Sequence, residues 1–457
     1  MDSGSSTEGD YEVERKHRNH YKIAGVIGLV SALTFAGCTA GDLAGGSSTT
    51  EGKTTITFLV NNSDSSSKAA DAVIAAFEAE NPDIKVVKEV KSAGTDGTNL
   101  MKTRLATGDM ADVFEYDSGA LLAAIHPTEN LVPLTDEAWV EQLEPLFQDA
   151  VTVEGDIYGA AYSTGSGGGM LYNIPLYERL GLEVPKTWDE FMANVEVIAA
   201  DGQAAPVEQT FGETWTSQLL ILADYNNVAA EVPDFADRYT KGEAKFSNTP
   251  AAQVGFDHIQ DLYEAGYFNK DFASATMNDG LLAVATGTAA HYPQLGSVAG
   301  NIENVSPGGL ENVGFFAQPG TSADTNGMTV WPGSSALYIP KTTTGAELEA
   351  AKKFIAFTQT QTGCDAYASG YAPQGPFMTK ACTLPEDVSQ VAKDTQSYFE
   401  SGKITPALEF LSPVKGPALE QIAIQVGTGQ ISAAEGAKAY DEDARKQALQ
   451  LNLDGWE

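Results

Sequence analysis

The sequence predicts an α/β protein built on open parallel sheets and divided into two lobes. Strands and helices alternate from Thr54 to Tyr116, the pattern of right-handed strand–helix–strand crossovers. The chain has 457 residues, more than one hydrophobic core usually serves. Its hydrophobic fraction, 42%, is that of a folded globular chain.

The order of elements starts with an export segment. A basic cluster, Arg15, Lys16, Arg18 and Lys22, precedes the apolar run Ile23–Cys38, and no charge returns until Asp42. A positive flank, a short apolar core and then small residues form the layout of an export signal over residues 1–37. The run is shorter than the roughly 20 apolar residues that cross a bilayer. Residues 38–53, rich in Gly, Ser and Thr, read as a flexible tether, which as a coil would span roughly 20 Å.

Ordered structure is expected to begin at Thr54–Val60, an alternating β-rich strand. Ser66 or Ser67 caps a helix with Ala69, Val73, Ala76 and Phe77 on its apolar face, and Asn81-Pro82 stops it. Ile84–Val90 is the second strand, and Leu100, Met101, Leu105 and Ala106 mark a helix ended by Gly108. Ala111–Tyr116 is the third strand. Ligands of such sheets bind beyond the carboxyl ends of the strands, so Asn61–Asp64, Ser92–Asn99 and Glu115–Ser118 become candidate loops. Thr187 and Glu190 form a capping box at the start of a later helix. Further helices are expected at Ala251–Glu264, Glu347–Gln359, Leu384–Ser401 and Ser432–Asn452, and a strand at Ala336–Pro340. The run Thr164–Gly169 lacks the Lys-Ser/Thr of a phosphate-binding loop and reads as a flexible crossing.

Removing residues 1–37 takes away four Lys/Arg and five Asp/Glu, leaving 23 against 57 and a net charge of −34. Such a surface repels phosphate backbones and anionic lipid headgroups, so no nucleic-acid partner is expected. Cys364 and Cys382, close together in an exported chain, suggest one disulfide, with two buried free thiols as the alternative. His126, His258 and His291 have no Cys or other His at ligand spacing, so no metal or cofactor is expected.

Two stretches carry resemblances. Cys38, directly after Phe35-Ala-Gly37, resembles the lipobox of bacterial lipoproteins, although Phe35 stands where that family usually has Leu. The resemblance implies cleavage before Cys38 and lipid attachment to it; the alternative is an ordinary secretory peptide. Met170–Phe191, in which Asn173-Ile-Pro and Thr187-Trp-Asp-Glu-Phe191 stand out, resembles the central signature of extracellular solute-binding proteins of the carbohydrate class, receptors of ATP-driven sugar importers. Ala111–Phe114, Ile157–Tyr162, Leu281–Ala290, Trp331–Leu337 and Ala350–Thr358 resemble other pieces of that family in the same order.

The resemblance implies a periplasmic-binding-protein-like fold in which two α/β lobes, joined by hinge strands, close on a sugar. The expected lobes are residues 54–163 with about 325–375, and 164–324 with 376–457. A pyranose offers apolar faces and a rim of hydroxyls, suited to aromatic rings and to amides or carboxylates. The expected contacts are Asn61, Asn62, Asp64, Glu115, Tyr116, Asp117, Tyr162, Trp215, His291, Tyr292, Gln294, Trp331, Tyr371 and Gln374; Trp188 is expected to pack as a helix-start residue. The expected protein is a monomeric, non-enzymatic receptor that passes an oligosaccharide to a permease. The alternatives are an exported glycoside hydrolase, for which no acid–nucleophile pair stands out, and a tethered sugar sensor.

Overall fold

The computed structural model describes residues 52–92, 94–333 and 335–457; the export segment, Cys38 and the tether up to residue 51 lie outside the described residues. In chain order, the elements that position the site begin with β1 (Thr54–Asn61), α1 (Asp64–Glu80), β2 (Ile84–Lys91), α2 (Gly94–Thr107) and β3 (Val113–Asp117). Next come β4 (Ala160–Ala161), β5 (Ser166–Asn173), α3 (Trp188–Asp201), β6 (Ala205–Val207), α4 (Pro250–Glu264), β7 (Ala289–Leu295) and β8 (Val313–Ala317). The last are β9 (Met328–Trp331), β10 (Ser335–Tyr338), α5 (Gly345–Thr358), α6 (Gln361–Gly370), α7 (Gln390–Ser401), β11 (Ile404–Pro406) and α8 (Ala433–Gln450).

These elements form two α/β lobes. The first sheet has the order β2–β1–β3–β10–β4, in which β1 runs parallel to β2 and β3 while β10 is antiparallel to both its neighbours. Ile56 and Phe58 of β1 are fully buried, and Phe354 of α5 sits edge-on to both Phe58 and Phe77 of α1 at 5.1 Å. Each such buried ring contributes about 1.5–3 kcal/mol of apolar burial. The second sheet runs β11–β9–β5–β7–β6. β9 covers one side of β5 at Ser166–Gly168 and β8 covers the same side at Gly169–Asn173, with β7 on the other. Its core gathers Phe191, Phe256, Phe316 and, from α8, Tyr440.

Several boundaries differ from the expectations, each for a local reason. Ser63, not Ser66 or Ser67, caps α1, its side chain accepting from the Ser66 amide. α2 starts at Gly94, so most of the expected loop Ser92–Asn99 is helix. α7 begins only at Gln390, capped by Ser389, leaving Leu384–Val388 outside it. Residues Met328–Trp331, expected with the first lobe, belong to the second sheet, because Thr329, Val330 and Trp331 pair with Gly168, Gly167 and Ser166. Gly167–Gly169 are strand residues: a Cβ at 168 would lie 2.8 Å from Ala223 Cβ, and one at 169 would strike the Phe316 carbonyl. The glycine run therefore serves close packing, not a flexible crossing.

Candidate functional site

The sheet directions determine which edges can meet. Asn61, Lys91, Asp117 and Ala161 end parallel strands of the first sheet, and Ser335 starts its antiparallel β10 at the same edge. In the second sheet β9 and β7 both run antiparallel to β5, so Trp331, Leu295 and Ser166 share one edge, together with Pro406 of β11. The chain passes from Ala161 to Ser166 and from Trp331 to Ser335, joining these two edges twice. A third passage, from the end of α6 to α7, touches the first: the Gly165 amide donates to the Pro376 carbonyl at 2.7 Å, and Thr164 bridges to Phe377. The two carboxyl edges thus face each other beside the crossings, which is where an open α/β sheet places a ligand.

On the first-lobe edge, Lys91 Nζ donates to Asn61 Oδ1 at 2.5 Å, and the Asn61 backbone N–H donates to Glu115 Oε2 at 3.1 Å. Glu115 is buried and Asp117 half-buried. Burial pushes the Asp117 carboxyl up to about 6; Lys91 and Lys415 oppose the shift, and Glu409 and Glu115 add to it. Lys415 and Glu409 come from the second lobe, so charges of both lobes act on one carboxylate. Glu409 accepts the Trp331 indole N–H at 2.5 Å and also binds Lys415 Nζ. Tyr371, which closes α6, donates its hydroxyl to the Ser297 carbonyl of the second lobe and lies against Gly300. Trp215, half-buried in the short helix Thr214–Gln218, donates its indole N–H to Glu213 Oε1 at 2.9 Å. Glu213 is itself held by the Met277 amide at 3.1 Å.

The expected contacts therefore divide. Asn61, Glu115, Tyr116 and Asp117 lie at the carboxyl ends of β1 and β3, with Glu115 and Tyr116 buried; Trp331, also buried, ends β9 on the facing edge, and Tyr371 reaches across the lobes. Asn62 is exposed beside Asn61, its amide bonded to the Lys91 carbonyl. Asp64 begins α1, and its side chain is outside the described residues. Five expected contacts turn inward. Tyr162 packs edge-on to Phe58 and Tyr367 in the first-lobe core. His291, Tyr292 and Gln294 are fully buried because β7 is an interior strand covered on both faces. Gln374 is also fully buried, bonded to Ser389 Oγ at 2.5 Å and to the Ala372 carbonyl at 2.9 Å.

Of these five, His291, Tyr292, Gln294 and Gln374 have internal partners, as burial demands, whereas the Tyr162 hydroxyl has none. His291 Nδ1 lies 2.8 Å from the Pro206 carbonyl, which can only accept, so Nδ1 carries the proton and Nε2 accepts from the Tyr177 hydroxyl at 2.6 Å. Burial pushes the imidazole down to about 4, and it stays neutral. Tyr292 exchanges hydrogen bonds with Thr210 at 2.8 Å and Gln294 at 3.1 Å. Lys91, Glu409 and Lys415 escaped the sequence reading. The strand-end rule that selected Asn61 also covers Lys91, whereas Glu409 follows a three-residue strand with no legible pattern. Among the described residues no group of three or more His, Cys, Asp or Glu side chains is placed to hold a metal ion.

Two α/β lobes with facing carboxyl edges and paired crossings define a bilobed binding protein. The chain belongs to the bacterial extracellular solute-binding protein family, whose model matches residues 62–363. It is 28% identical over 351 residues to the multiple sugar-binding protein of Streptococcus mutans, covering 76% of this chain and 79% of that protein. Among solved structures, a chitin oligosaccharide binding protein superposes with a TM-score of 0.72 at 22% identity, over 86% of this chain and 99% of that one. A solute-binding protein in complex with raffinose superposes at 0.70 and 22% identity, over 84% and 98%. The two structures share the fold with this chain.

Proposed function

We propose that this protein is the sugar-binding subunit of an ABC importer, capturing an oligosaccharide between its lobes and delivering it to a membrane permease. The observation that carries the reading is the facing pair of edges, where Asn61 and Asp117 of one lobe oppose Trp331, Glu409 and Lys415 of the other. Carboxylates and amides suit sugar hydroxyls, which both donate and accept, and an indole covers a pyranose face. The family membership and the sugar-binding relatives support the same class of ligand. The crossings at 162–165 and just after Trp331 act as the hinge, with the passage 371–389 as a third link. A ligand touching both edges favours the closed arrangement through its differential affinity.

In this reading the mature protein begins at Cys38, is lipid-anchored there on the outer face of the cytoplasmic membrane, and works as a monomer. Among the described residues no helix is long and apolar enough to cross a membrane. Titration calorimetry with raffinose, chito-oligosaccharides and malto-oligosaccharides tests the proposal. Micromolar or tighter binding of one of them, about −8 kcal/mol or better, is expected. No heat with any glycan overturns it, and progressive shortening of the glycan by purified protein moves the assignment to a hydrolase.

A further inference from the structure

Trp331 is fixed from two directions. Its benzo edge lies over β5, where a Cβ at Gly168 would come 2.8 Å from Trp331 Cζ3 and from Ala223 Cβ. Its indole N–H goes to Glu409 Oε1, while Glu409 Oε2 takes the Lys415 ammonium. The Glu409 side chain is 12% exposed and that of Lys415 22%, so the pair sits largely out of water, where charge-assisted bonds hold geometry most firmly. The same residue meets the other lobe: a Cβ at Gly119 would lie 2.9 Å from the Glu409 carbonyl oxygen.

We infer that Glu409, held by Lys415, is a positioning residue that fixes the Trp331 indole at the edge of the binding cleft. The inference rests on the sugar-binding reading for its effect on affinity, but the indole geometry is independent of it. A tryptophan free to rotate about its side-chain torsions loses conformational freedom on stacking against a ligand, and one already held does not. Glu409 thus acts on ligand through Trp331, not by touching it.

The test uses the full-length protein labelled with ¹⁵N at tryptophan. Loss of one indole resonance in Trp331→Phe assigns that signal. Glu409→Ala is expected to shift the Trp331 indole resonance, speed its proton exchange and weaken raffinose binding by about tenfold. Glu409→Gln, which keeps an acceptor for the indole, is expected to restore the resonance and most of the affinity. In a Trp331→Phe background, Glu409→Ala is expected to change affinity by less than about twofold, because the two residues act as one unit. An unmoved indole resonance in Glu409→Ala overturns the positioning role. An equal affinity loss with and without the indole also overturns it, since Glu409 then acts directly on ligand or fold. If wild-type protein binds no glycan, the sugar reading fails instead, and the indole resonance still decides the positioning role.

Discussion

Gly119 of the first lobe lies so close to Phe410 of the second that a Cβ at position 119 would fall 2.7 Å from Phe410 Cδ1. The backbone there has φ 65° and ψ −135°, a conformation that only glycine adopts freely. Both conditions bear on lobe approach, because Gly119 follows Asp117 by two residues at the cleft edge. Gly119→Ala is expected to lower stability by about 1–3 kcal/mol and to hold the lobes further apart. Urea melts and small-angle scattering check this; an unchanged melt and radius of gyration would show that the two lobes do not meet at this point in solution.

Cys364 and Cys382 are joined across a separation of 18 residues, with their Cα atoms 6.2 Å apart. The closed loop carries Tyr371, bonded to Ser297 of the second lobe, and Pro376, which receives the Gly165 amide of the first crossing. A cross-link of this span restricts the unfolded chain and is worth about 3 kcal/mol. Replacing both cysteines with serine is expected to lower the melting temperature in non-reducing buffer, and reductant is expected to do the same to wild type only. Identical melts for the two proteins would mean that the bond contributes nothing.

Asp224 supplies a pH test. It is 1% exposed; Oδ1 accepts from Asn227 at 2.8 Å and Oδ2 has no partner. Burial pushes its carboxyl from 3.8 up to about 8, with the Asn227 bond opposing and Glu231 adding to the shift. The folded state therefore holds this proton more tightly than the unfolded state, and ionisation removes stability as pH rises from about 4 to about 8. Asp224→Asn keeps the shape and removes the titration. Its stability relative to wild type is expected to increase across that window, by an amount on the order of a few kcal/mol. His258 lines the same cavity as Asp224, so the comparison reads position 224 together with its effect on that imidazole. Denaturant melts at pH 4.5, 6 and 8 check it, and a difference independent of pH would show that Asp224 is not buried in solution.

The fold was legible where periodicity is long. The strand–helix alternation from Thr54 marks β1, β2 and β3, which pair in parallel, and the Thr187–Glu190 capping box starts α3 as read. The short pieces left no such signal: Ala160–Ala161 and Ile404–Pro406 are strands only because a neighbour pairs with them. For the candidate site, position in the strands and residue type pointed in different directions. Strand ends pointed to Asn61 and Asp117, but polar and aromatic residues in β7 suggested a wall that the strand does not form. An interior strand shows no polar–apolar alternation; its His291 and Tyr292 are satisfied by partners far away in sequence, and Gln294 by Tyr292 and Leu295 of its own strand. Lone polar letters therefore cannot distinguish a core hydrogen-bond network from a cleft.

That distinction separates two aromatic residues that the sequence treated alike. Tyr292 is fully buried, and its hydroxyl is shared by Thr210 and Gln294; Trp215 is half-buried in the short helix Thr214–Gln218, with its ring held through Glu213. Tyr292→Phe removes a hydroxyl that two buried groups use, which costs about 1–3 kcal/mol of stability. It leaves the edge intact, so affinity for whichever glycan calorimetry shows to bind is expected to stay within about twofold of wild type. Trp215→Ala removes a part-exposed ring instead, and is expected to weaken binding of the same glycan by about tenfold or more while leaving the melting temperature nearly unchanged. Parallel calorimetry and thermal melts read both quantities for both variants. The reverse pattern, with affinity lost at Tyr292 and stability lost at Trp215, would place the ligand against β7 and require that strand to open on binding.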